Sequence, residues 1–498
     1  MMTEFGAAQS ASFIATLLAR RESRTLDFKR ISAKHPRMIE TVCAFANGEG
    51  GALVIGVGDA KDMQAGAKPE SRLFGIEENP EAFDDFHRQV MAKFTPPIDR
   101  LHWLRLPCTL NNGQPGHVVL LRVEKSATVH SITGHGTWAR MDASNRQMNA
   151  SEIAELHYRR GTRSAAAEAV PISLELLQTG VWGRFAAARG LTRGTFAEQL
   201  QRIGLAQMAG AECQPLRAAV LLFADEPGSL LAAHGSRADV RVMVYDGKQA
   251  VPGATPNLRK PARTVRGPLI DQIDATIKLV LDELVHGLTL SASGFKGRHV
   301  YPERVVKEAI VNAVIHRDYR LNRDIFVRIF DDRIEVESPG AFPGSITPTN
   351  IGRAGSFPRN SLLAQNLREF PVAPNIDAGE GVPMMFAEMK QANLYPPQYR
   401  QSVGAAVETV TVTLRNLSRP SAWDQVSDWV DQQGSIANAD VVRIAEVDTL
   451  KASKMLKGWC DAGLLEPLPG RAKRNMAYTK QVQDSQDPLF STTEDNNA

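Results

Sequence analysis

The pattern of apolar and polar positions along the chain predicts helices and strands that alternate in four successive regions. In the first region, residues 1–160, a helical pattern at Arg37–Ala46 leads through a glycine-rich turn into the apolar run Ala52–Val57. That run has the length of a buried strand and turn signals at both ends. His117–Val123 is a second run of the same kind. The pattern therefore predicts a mixed α/β module.

The second and third regions continue the mixed pattern. Residues 161–295 form a linking α/β region, with helical patterns, two predicted strands at Arg217–Phe223 and Asp239–Tyr245, and a helix from about Pro268 to Leu284. Residues 296–418 alternate between the helical and strand periods. The elements predicted there are the helices Glu303–Ile315 and Pro383–Gln391 and the strands Ile325–Phe330, Arg333–Glu337 and Val407–Leu414.

The fourth region, residues 421–480, predicts three short helices and a hairpin-like segment, which is the pattern of a winged helix-turn-helix. The third helix, Asp448–Ala462, would be the recognition helix, with Leu450, Met455, Leu456 and Trp459 at core-facing spacings. The cations expected to contact DNA on this helix and on the wing are Lys451, Lys454, Lys457, Arg471, Lys473 and Arg474. A module for protein contacts or dimerisation is the alternative. Residues 481–498 predict a disordered acidic tail.

Composition narrows the class of protein. The chain has 498 residues, of which 43% are hydrophobic and 23% charged, so it is globular rather than disordered or fibrous. A net charge of only +3 confines any nucleic-acid surface to a local patch. Four cysteines without a CxxC pair argue against a disulfide framework and fit a cytoplasmic protein. The apolar runs are too short to span a membrane.

A polar stripe on the helix Glu303–Ile315 is the strongest chemical signal. Glu308, Asn312 and His316 are spaced four residues apart, so they lie along one side of the helix among apolar neighbours. Burying such a line is costly unless something binds it. The stripe therefore predicts a ligand site, and a set of satisfied core polar groups is the alternative.

Segments that follow this stripe carry a family resemblance. A strand ends in Ser338-Pro-Gly340, Arg359-Asn360 follows, and a glycine-rich loop at residues 377–382 enters the next helix. Together with the stripe, residues 303–400 resemble the divergent Bergerat (GHKL)-type ATP-binding domain of RecG-like and transcriptional-regulator proteins. The resemblance implies an α/β sandwich that binds ATP and Mg²⁺.

The resemblance also implies roles for individual residues. Glu308 would orient or deprotonate the attacking water, and Asn312 would hold the Mg²⁺ that bridges the phosphates. Gly379 and Gly381 would let backbone N–H groups approach phosphate oxygens at a helix N-terminus.

Other matched positions are assigned to the nucleotide in the same way. Ser338 and Gly340 occupy the turn that should meet the adenine, where better-known relatives place an aspartate. His316, Arg359 and Asn360 complete the expected nucleotide contacts.

An acidic cluster near the N-terminus is the second signal. Glu22, Asp27, Lys29 and Asp59, together with the glycine-rich turn after Asn47, resemble the Schlafen AlbA-type domain, which is often paired with the Bergerat-type domain. Some such domains cleave RNA with an acidic triad. The acids here could bind Mg²⁺ or Mn²⁺ and activate water, and Lys29 could neutralise developing charge. The alternative is an edge strand with solvent-facing charges.

The histidines form no metal-ligand set. Ser126 and His130 are four residues apart, but the sequence shows no nearby residue that would orient the imidazole as a base. No hydrolase triad is therefore predicted.

These signals together predict an α/β (α+β) multidomain protein that binds ATP and nucleic acid, DNA rather than RNA. We expect a homo-oligomeric, nucleotide-controlled transcriptional regulator or phage-defence factor. The first alternative is a metal-dependent Schlafen-type nuclease regulated by the ATP domain. The second is a non-catalytic oligomeric scaffold.

Overall fold

The computed structural model describes residues 2–4, 7–31, 35–62, 67–251, 256–285, 289–291, 294–296, 301–374, 380–402, 407–420, 422–468 and 476–480. Of these residues, those up to 162 together with 343–346 form one compact unit, and the others form a second unit. The predictions made for Gly379, Arg471, Lys473, Arg474 and the tail 481–498 lie outside the described residues.

The first unit is built on a five-stranded mixed sheet with strand order β1-β5-β6-β3-β2. β2 pairs in parallel with β3 and lies at the edge of this sheet. The strands of the unit are β1 (Met2–Glu4), β2 (Leu26–Lys29), β3 (Gly51–Ile55), β4 (Phe94–Thr95), β5 (Leu101–Thr109), β6 (Pro115–Val123), β7 (Ser131–Ile132), β8 (Trp138–Met141) and β9 (Ser144–Gln147). Its helices are α1 (Ala7–Leu18), α2 (His35–Asn47), α3 (Pro80–Ala92) and α4 (Ala150–Arg160).

The core of this unit forms between α2, α3 and one face of the sheet. Met38, Ile39, Val42 and Phe45 of α2 are fully or almost fully buried, as expected for the apolar stripe of an amphipathic helix. Gly50 turns the chain from α2 into β3 with φ +87°, and a Cβ at this position would lie 2.9 Å from a backbone carbonyl of β6. The turn requires glycine for both reasons.

The second unit contains a six-stranded sheet with order β13-β12-β16-β17-β19-β18 and three smaller sheets. Its strands are β10 (Ala206–Ala209), β11 (Glu212–Pro215), β12 (Val240–Val244), β13 (Arg263–Val265), β14 (Thr289–Ser291), β15 (Gly294–Lys296), β16 (Ile325–Ile329), β17 (Arg333–Pro339), β18 (Gln398–Gln401), β19 (Thr409–Arg415), β20 (Ile436–Ala437), β21 (Leu465–Pro467) and β22 (Ala477–Lys480). Its helices are α5 (Gly180–Arg189), α6 (Phe196–Arg202), α7 (Arg217–Phe223), α8 (Pro227–Ala232), α9 (Leu269–Val285), α10 (Glu303–His316), α11 (Ser361–Leu367), α12 (Gly381–Gln391), α13 (Trp423–Gln433), α14 (Asn438–Ala445) and α15 (Thr449–Asp461).

Helix α10 lies in the main core of the second unit. Its apolar residues, such as Val305, Ile310 and Val314, are buried against the six-stranded sheet and neighbouring helices. The polar stripe of α10 is thereby held between apolar neighbours. The predicted helix and the strands around it are confirmed to within a few residues.

One predicted strand is wrong. Arg217–Phe223 is the helix α7, and every residue in it is buried. A run of seven apolar or buried positions has no polar face, so its periodicity cannot separate a buried helix from a buried strand.

The C-terminal part of the second unit packs three helices, α13, α14 and α15, with the three-stranded sheet β20-β22-β21. Ala452, Leu456 and Trp459 form the buried stripe of α15. Leu450 was predicted to face this core but is 68% exposed, because it lies in the first turn of α15, outside the stripe. The assignment of this part as a winged helix stays a prediction.

The structure confirms the predicted mixed α/β, multidomain class. The division into five segments stays a prediction. None of the described helices combines the length and apolar character that a membrane crossing requires.

Candidate functional site

The polar stripe of α10 forms a bonded pair in the structure. Nδ2 of Asn312 donates a hydrogen bond of 2.9 Å to Oε1 of Glu308. Burial raises the pKa of the Glu308 carboxyl, and the bond from Asn312 opposes that shift. A carboxyl whose pKa is raised within a polar stripe has the properties of a base or water-orienting group.

Gly381 at the start of α12 approaches this carboxylate closely. A Cβ on Gly381 would lie only 1.9 Å from Oε1 of Glu308, so a larger residue could not occupy the position without displacing the carboxylate. Tyr399 on β18 is also near enough for the charge of Glu308 to contribute to the raised pKa of its phenol, after the larger effect of burial. The structure therefore brings Glu308, Asn312 and Gly381 together, and their roles at an ATP site stay predictions.

The turn after β17 is tightly packed against the end of α10. The buried Ser338 donates a hydrogen bond of 2.7 Å from Oγ to the carbonyl oxygen of Ala313. Gly340 has φ +117°, and a Cβ there would lie 3.1 Å from Cβ of Asp318. The Ser338 hydroxyl thus fixes the helix to the strand, and Gly340 allows the close approach.

Arg359 is almost fully buried and holds the chain after α10. Its Nε donates a 3.0 Å hydrogen bond to the carbonyl oxygen of His316, and its Nη2 donates to the carbonyl oxygen of Ala341. Its Nη1 lies 4.0 Å from Oδ2 of Asp318. The guanidinium therefore links three segments of the second unit.

Asn360 is 1% exposed and has a similar role. Its Nδ2 donates to the carbonyl oxygens of Ile315 and Arg317, at 2.8 and 2.7 Å. Its Oδ1 accepts a 2.7 Å hydrogen bond from the Ser164 hydroxyl. The side chain thereby caps the C-terminal end of α10.

Asp318 is a buried carboxylate at this site that the sequence analysis did not single out. Nε and Nη2 of Arg320 bind its two oxygens at 3.0 and 2.5 Å. Burial acts to raise the pKa of Asp318, but the two arginines Arg320 and Arg359 lower it overall. The His-Arg-Asp-Tyr sequence directly after the polar stripe was the signal that could have identified it.

The N-terminal acids meet around one lysine. Nζ of Lys29 donates to Oε1 of Glu22 at 3.2 Å and to Oδ1 of Asp27 at 2.8 Å. Burial raises the pKa of Glu22, and a hydrogen bond with Asp27 raises it further. These three predicted residues are therefore adjacent in the structure.

Asp27 is fully buried within β2, which excludes the solvent-facing edge position considered above. Nη2 of Arg140 lies 3.2 Å from its Oδ1, and the Thr41 hydroxyl donates to its Oδ2 at 3.0 Å. Burial acts to raise the pKa of Asp27, but the bond to Glu22 and the charges of Lys29 and Arg140 lower it overall. Asp27 is thus ionised and already neutralised by cations from the protein.

Asp59 lies at the margin of this cluster. Its carboxylate is about a third exposed, and Nζ of Lys61 lies 3.9 Å from Asp59 and 4.0 Å from Glu22. Across the described ranges, no group of three or more His, Cys, Asp or Glu side chains has the arrangement to hold a metal ion. The described residues therefore show no three-ligand metal site and give no support for Mn²⁺, and the roles of Glu22, Asp27 and Asp59 stay predictions.

Helix α15 presents the predicted lysines to solvent. Lys451, Lys454 and Lys457 are all exposed, on the side opposite the buried stripe. Asp448 caps the helix by accepting a 2.8 Å hydrogen bond from the amide of Lys451. The spacing of three residues places the three ammonium groups along one face of the helix.

No curated protein matches the chain. Among solved structures, the DIP2311 protein from Corynebacterium diphtheriae matches with 16% sequence identity and a TM-score of 0.37, over 95% of this chain and 99% of that chain.

Two family models match separate parts of the chain. Residues 22–149 match the family described as Schlafen, AlbA_2, and this range includes the cluster of Glu22, Asp27 and Lys29. Residues 322–414 match the family described as ATP-dependent DNA helicase recG C-terminal, which includes Ser338, Gly340 and Gly381. The chain thus contains a Schlafen AlbA_2 domain followed by an ATPase-like domain of the recG C-terminal family.

Proposed function

We propose that this protein is a nucleotide-controlled regulator that binds DNA and responds to ATP. The two domains indicate an ATP-binding function related to nucleic acids. The observation that carries the proposal is the bonded pair of Glu308 and Asn312 next to Gly381. Transcriptional control or phage defence, a homo-oligomeric state and a cytoplasmic location belong to the same proposal.

The residues at this site fit ATP with Mg²⁺. Mg²⁺ prefers oxygen ligands, and the amide oxygen of Asn312 and the carboxylate of Glu308 are of that kind. Since Nδ2 of Asn312 donates to Glu308, its Oδ1 remains the atom to hold the ion. When bound, Mg²⁺ would neutralise charge on the phosphates. Glu308 would orient a water, and the first turn of α12 would face the phosphates.

DNA binding is assigned to the exposed lysines of α15 and to the proposed winged helix around them. Lys451, Lys454 and Lys457 offer three cations on one face, and such cations bind phosphate groups without needing a particular sequence. Because the net charge of the chain is only +3, this local face matters more than the charge of the whole protein.

The N-terminal domain is proposed to bind nucleic acid rather than cleave it. The carboxylate of Asp27 is already bonded to Lys29, Arg140 and Thr41. A metal ion would have to replace these partners and leave a buried arginine uncompensated, which is costly. The nuclease remains the second candidate, because the adjacent Glu22 has a raised pKa and is a potential proton acceptor.

The first experiment measures ATP binding and DNA binding on one preparation. Fluorescent ATP analogue and labelled duplex DNA are titrated with and without Mg²⁺, using the wild type, Asn312→Ala and the control Asn112→Ala. Asn112 is an exposed residue in the β5–β6 turn. We expect Asn312→Ala to lose Mg²⁺-dependent ATP binding and the effect of ATP on DNA affinity. Unchanged values in Asn312→Ala would contradict the proposal.

The second experiment separates binding from cleavage. Duplex DNA, single-stranded DNA and tRNA are incubated with the protein and Mg²⁺ or Mn²⁺, and Glu22→Gln is tested in parallel because it keeps the size of the side chain. We expect the protein to retard the nucleic acids in a gel without cleaving them. Cleavage that disappears in Glu22→Gln would establish the nuclease, and neither cleavage nor retardation would favour the scaffold.

A further inference from the structure

A serine and a histidine in the first unit form a directly bonded pair outside the two sites described above. Oγ of Ser126 lies 2.6 Å from Nε2 of His130. Ser126 follows the end of β6 and is half-buried, whereas His130 is only 1% exposed. The serine is therefore accessible from solvent and the imidazole behind it is enclosed.

The structure supplies the orienting group that the sequence did not show. Nδ1 of His130 lies 2.7 Å from the carbonyl oxygen of Pro96. Because a carbonyl oxygen only accepts hydrogen bonds, Nδ1 must carry the proton, and Nε2 is left as the acceptor that faces the serine hydroxyl. This is the tautomer that a general base requires.

The backbone of His130 is fixed from both sides by one amide side chain. The amide N–H of His130 donates to Oδ1 of Asn47 at 2.8 Å, and Nδ2 of Asn47 donates to the carbonyl oxygen of His130 at 2.8 Å. Asn47 is the last residue of α2 and is itself buried. The imidazole is thus held by a rigid element, which favours one reactive geometry.

Thr128 completes the environment of the serine. Its amide N–H donates to Oγ of Ser126 at 3.2 Å, and its Oγ1 lies 3.3 Å from Nε2 of His130. Oγ of Ser126 lies 2.6 Å from Nε2 of His130 but 3.4 Å from Oγ1 of Thr128, so the imidazole is the nearer acceptor for the serine proton. Ser126 is therefore the better placed of the two hydroxyls to lose a proton to the imidazole.

The charge state of the His130 imidazole suits a general base. Burial lowers the pKa of His130, the nearby Arg160 lowers it further, and the bond to Pro96 and the charge of Asp99 oppose this. The thiol of Cys43 lies 3.4 Å from the carbonyl oxygen of His130, and burial raises its pKa to about 12, so it stays neutral. His130 is therefore an unprotonated base at neutral pH.

We propose that Ser126 and His130 form a nucleophilic dyad that transfers acyl groups from carboxylic esters. Oγ of Ser126 forms a bond to the ester carbonyl carbon while Nε2 of His130 takes its proton. The bond from that carbon to the leaving oxygen then breaks, and the leaving group takes the proton from Nε2. Water hydrolyses the acyl-serine, with His130 first accepting the water proton and then returning it to Oγ. Asn47 and the Pro96 carbonyl are positioning groups.

The test labels the full chain with a biotinylated fluorophosphonate. Mass spectrometry should place the fluorophosphonate adduct on Ser126, and Ser126→Ala should abolish it. His130→Gln should slow labelling by about 100-fold or more, the usual contribution of a general base. The control is Ser131→Ala, since Ser131 is bonded to Thr137 at 2.7 Å rather than to an imidazole. This variant should label as the wild type does.

If His130→Gln fails to fold, the labelling rate of the wild type measured against pH tests the role of the imidazole instead. The labelling rate should rise with pH and reach its plateau with a midpoint below about 6.5, the ordinary pKa of imidazole. Absence of an adduct on Ser126 would overturn the proposal. So would an adduct whose rate depends neither on pH nor on His130.

Discussion

Gly381→Ala is the sharpest perturbation of the candidate ATP site. The backbone of Gly381 lies outside the left-handed region, so alanine fits the local conformation. Its Cβ, however, would lie 1.9 Å from Oε1 of Glu308. The Glu308 carboxylate must therefore move, and its bond from Asn312 breaks.

The expected change in stability is small and the expected change in binding is large. Losing the Glu308–Asn312 hydrogen bond costs about 0.5–1.5 kcal/mol. Replacing glycine by alanine in a helix contributes about 0.5–1 kcal/mol in the other direction. The free energy of unfolding should thus stay nearly constant. Because the methyl group and the displaced carboxylate crowd the start of α12, the dissociation constant for Mg²⁺-ATP should rise at least ~10-fold, about 1.4 kcal/mol.

The assay combines urea denaturation with titration of a fluorescent ATP analogue. Gly355→Ala is the matched control, since a Cβ at Gly355 meets no atom within 4 Å. The double variant Glu308→Ala/Gly381→Ala removes the clash and should recover part of the lost affinity, which would appear as a non-additive term in a double-mutant cycle. Wild-type affinity in Gly381→Ala, or additive effects in the cycle, would refute the reasoning.

Three further predictions test other parts of the chain. Asp27→Ala removes the carboxylate that faces the buried Arg140 and should lower the free energy of unfolding in urea by about 3–5 kcal/mol. Asp85→Ala, in an exposed pair, should change it by less than ~0.5 kcal/mol. Burial lowers the pKa of Lys125 to about 8. Between about pH 8 and about pH 10.4 the unfolded chain therefore binds more protons than the folded chain, so the free energy of unfolding should rise with pH over this range. The rise should be smaller in Lys125→Met. Lys454→Gln should weaken DNA binding and reduce the slope of log affinity against log salt by ~0.9; an unchanged slope would contradict docking through α15.

Local patterns predicted the elements well where one face of the element is polar. The helix α10 and the strands β16 and β17 were predicted within a few residues, because their polar positions follow the periods of a helix and a strand. The helix α7 was not, since Arg217–Phe223 is buried on all sides. For such short apolar runs, the contacts of the folded chain decide the conformation.

Contacts that form only in the folded chain also limit what the sequence can predict about the sites. The spacing of Glu308 and Asn312 predicted that they lie on one side of a helix, and the structure adds the hydrogen bond between them. The partners of Asp27 could not be inferred, since Arg140 comes from β8, a distant strand. The Pro96 carbonyl that orients His130 is a backbone group, and no residue type marks it in the sequence.

The structure separates the predicted nucleotide contacts into two kinds. Arg359 and Asn360 each donate to two backbone carbonyls around the end of α10. Turning either side chain toward a ligand would leave buried carbonyls unsatisfied, at a cost of about 1–3 kcal/mol each. Within the described residues, Oδ1 of Asn312 makes no such hydrogen bond to the protein, and the Glu308 carboxylate accepts one only from Asn312. We therefore expect substitutions of Arg359 and Asn360 to lower stability first, and those of Glu308 and Asn312 to act directly on the ligand.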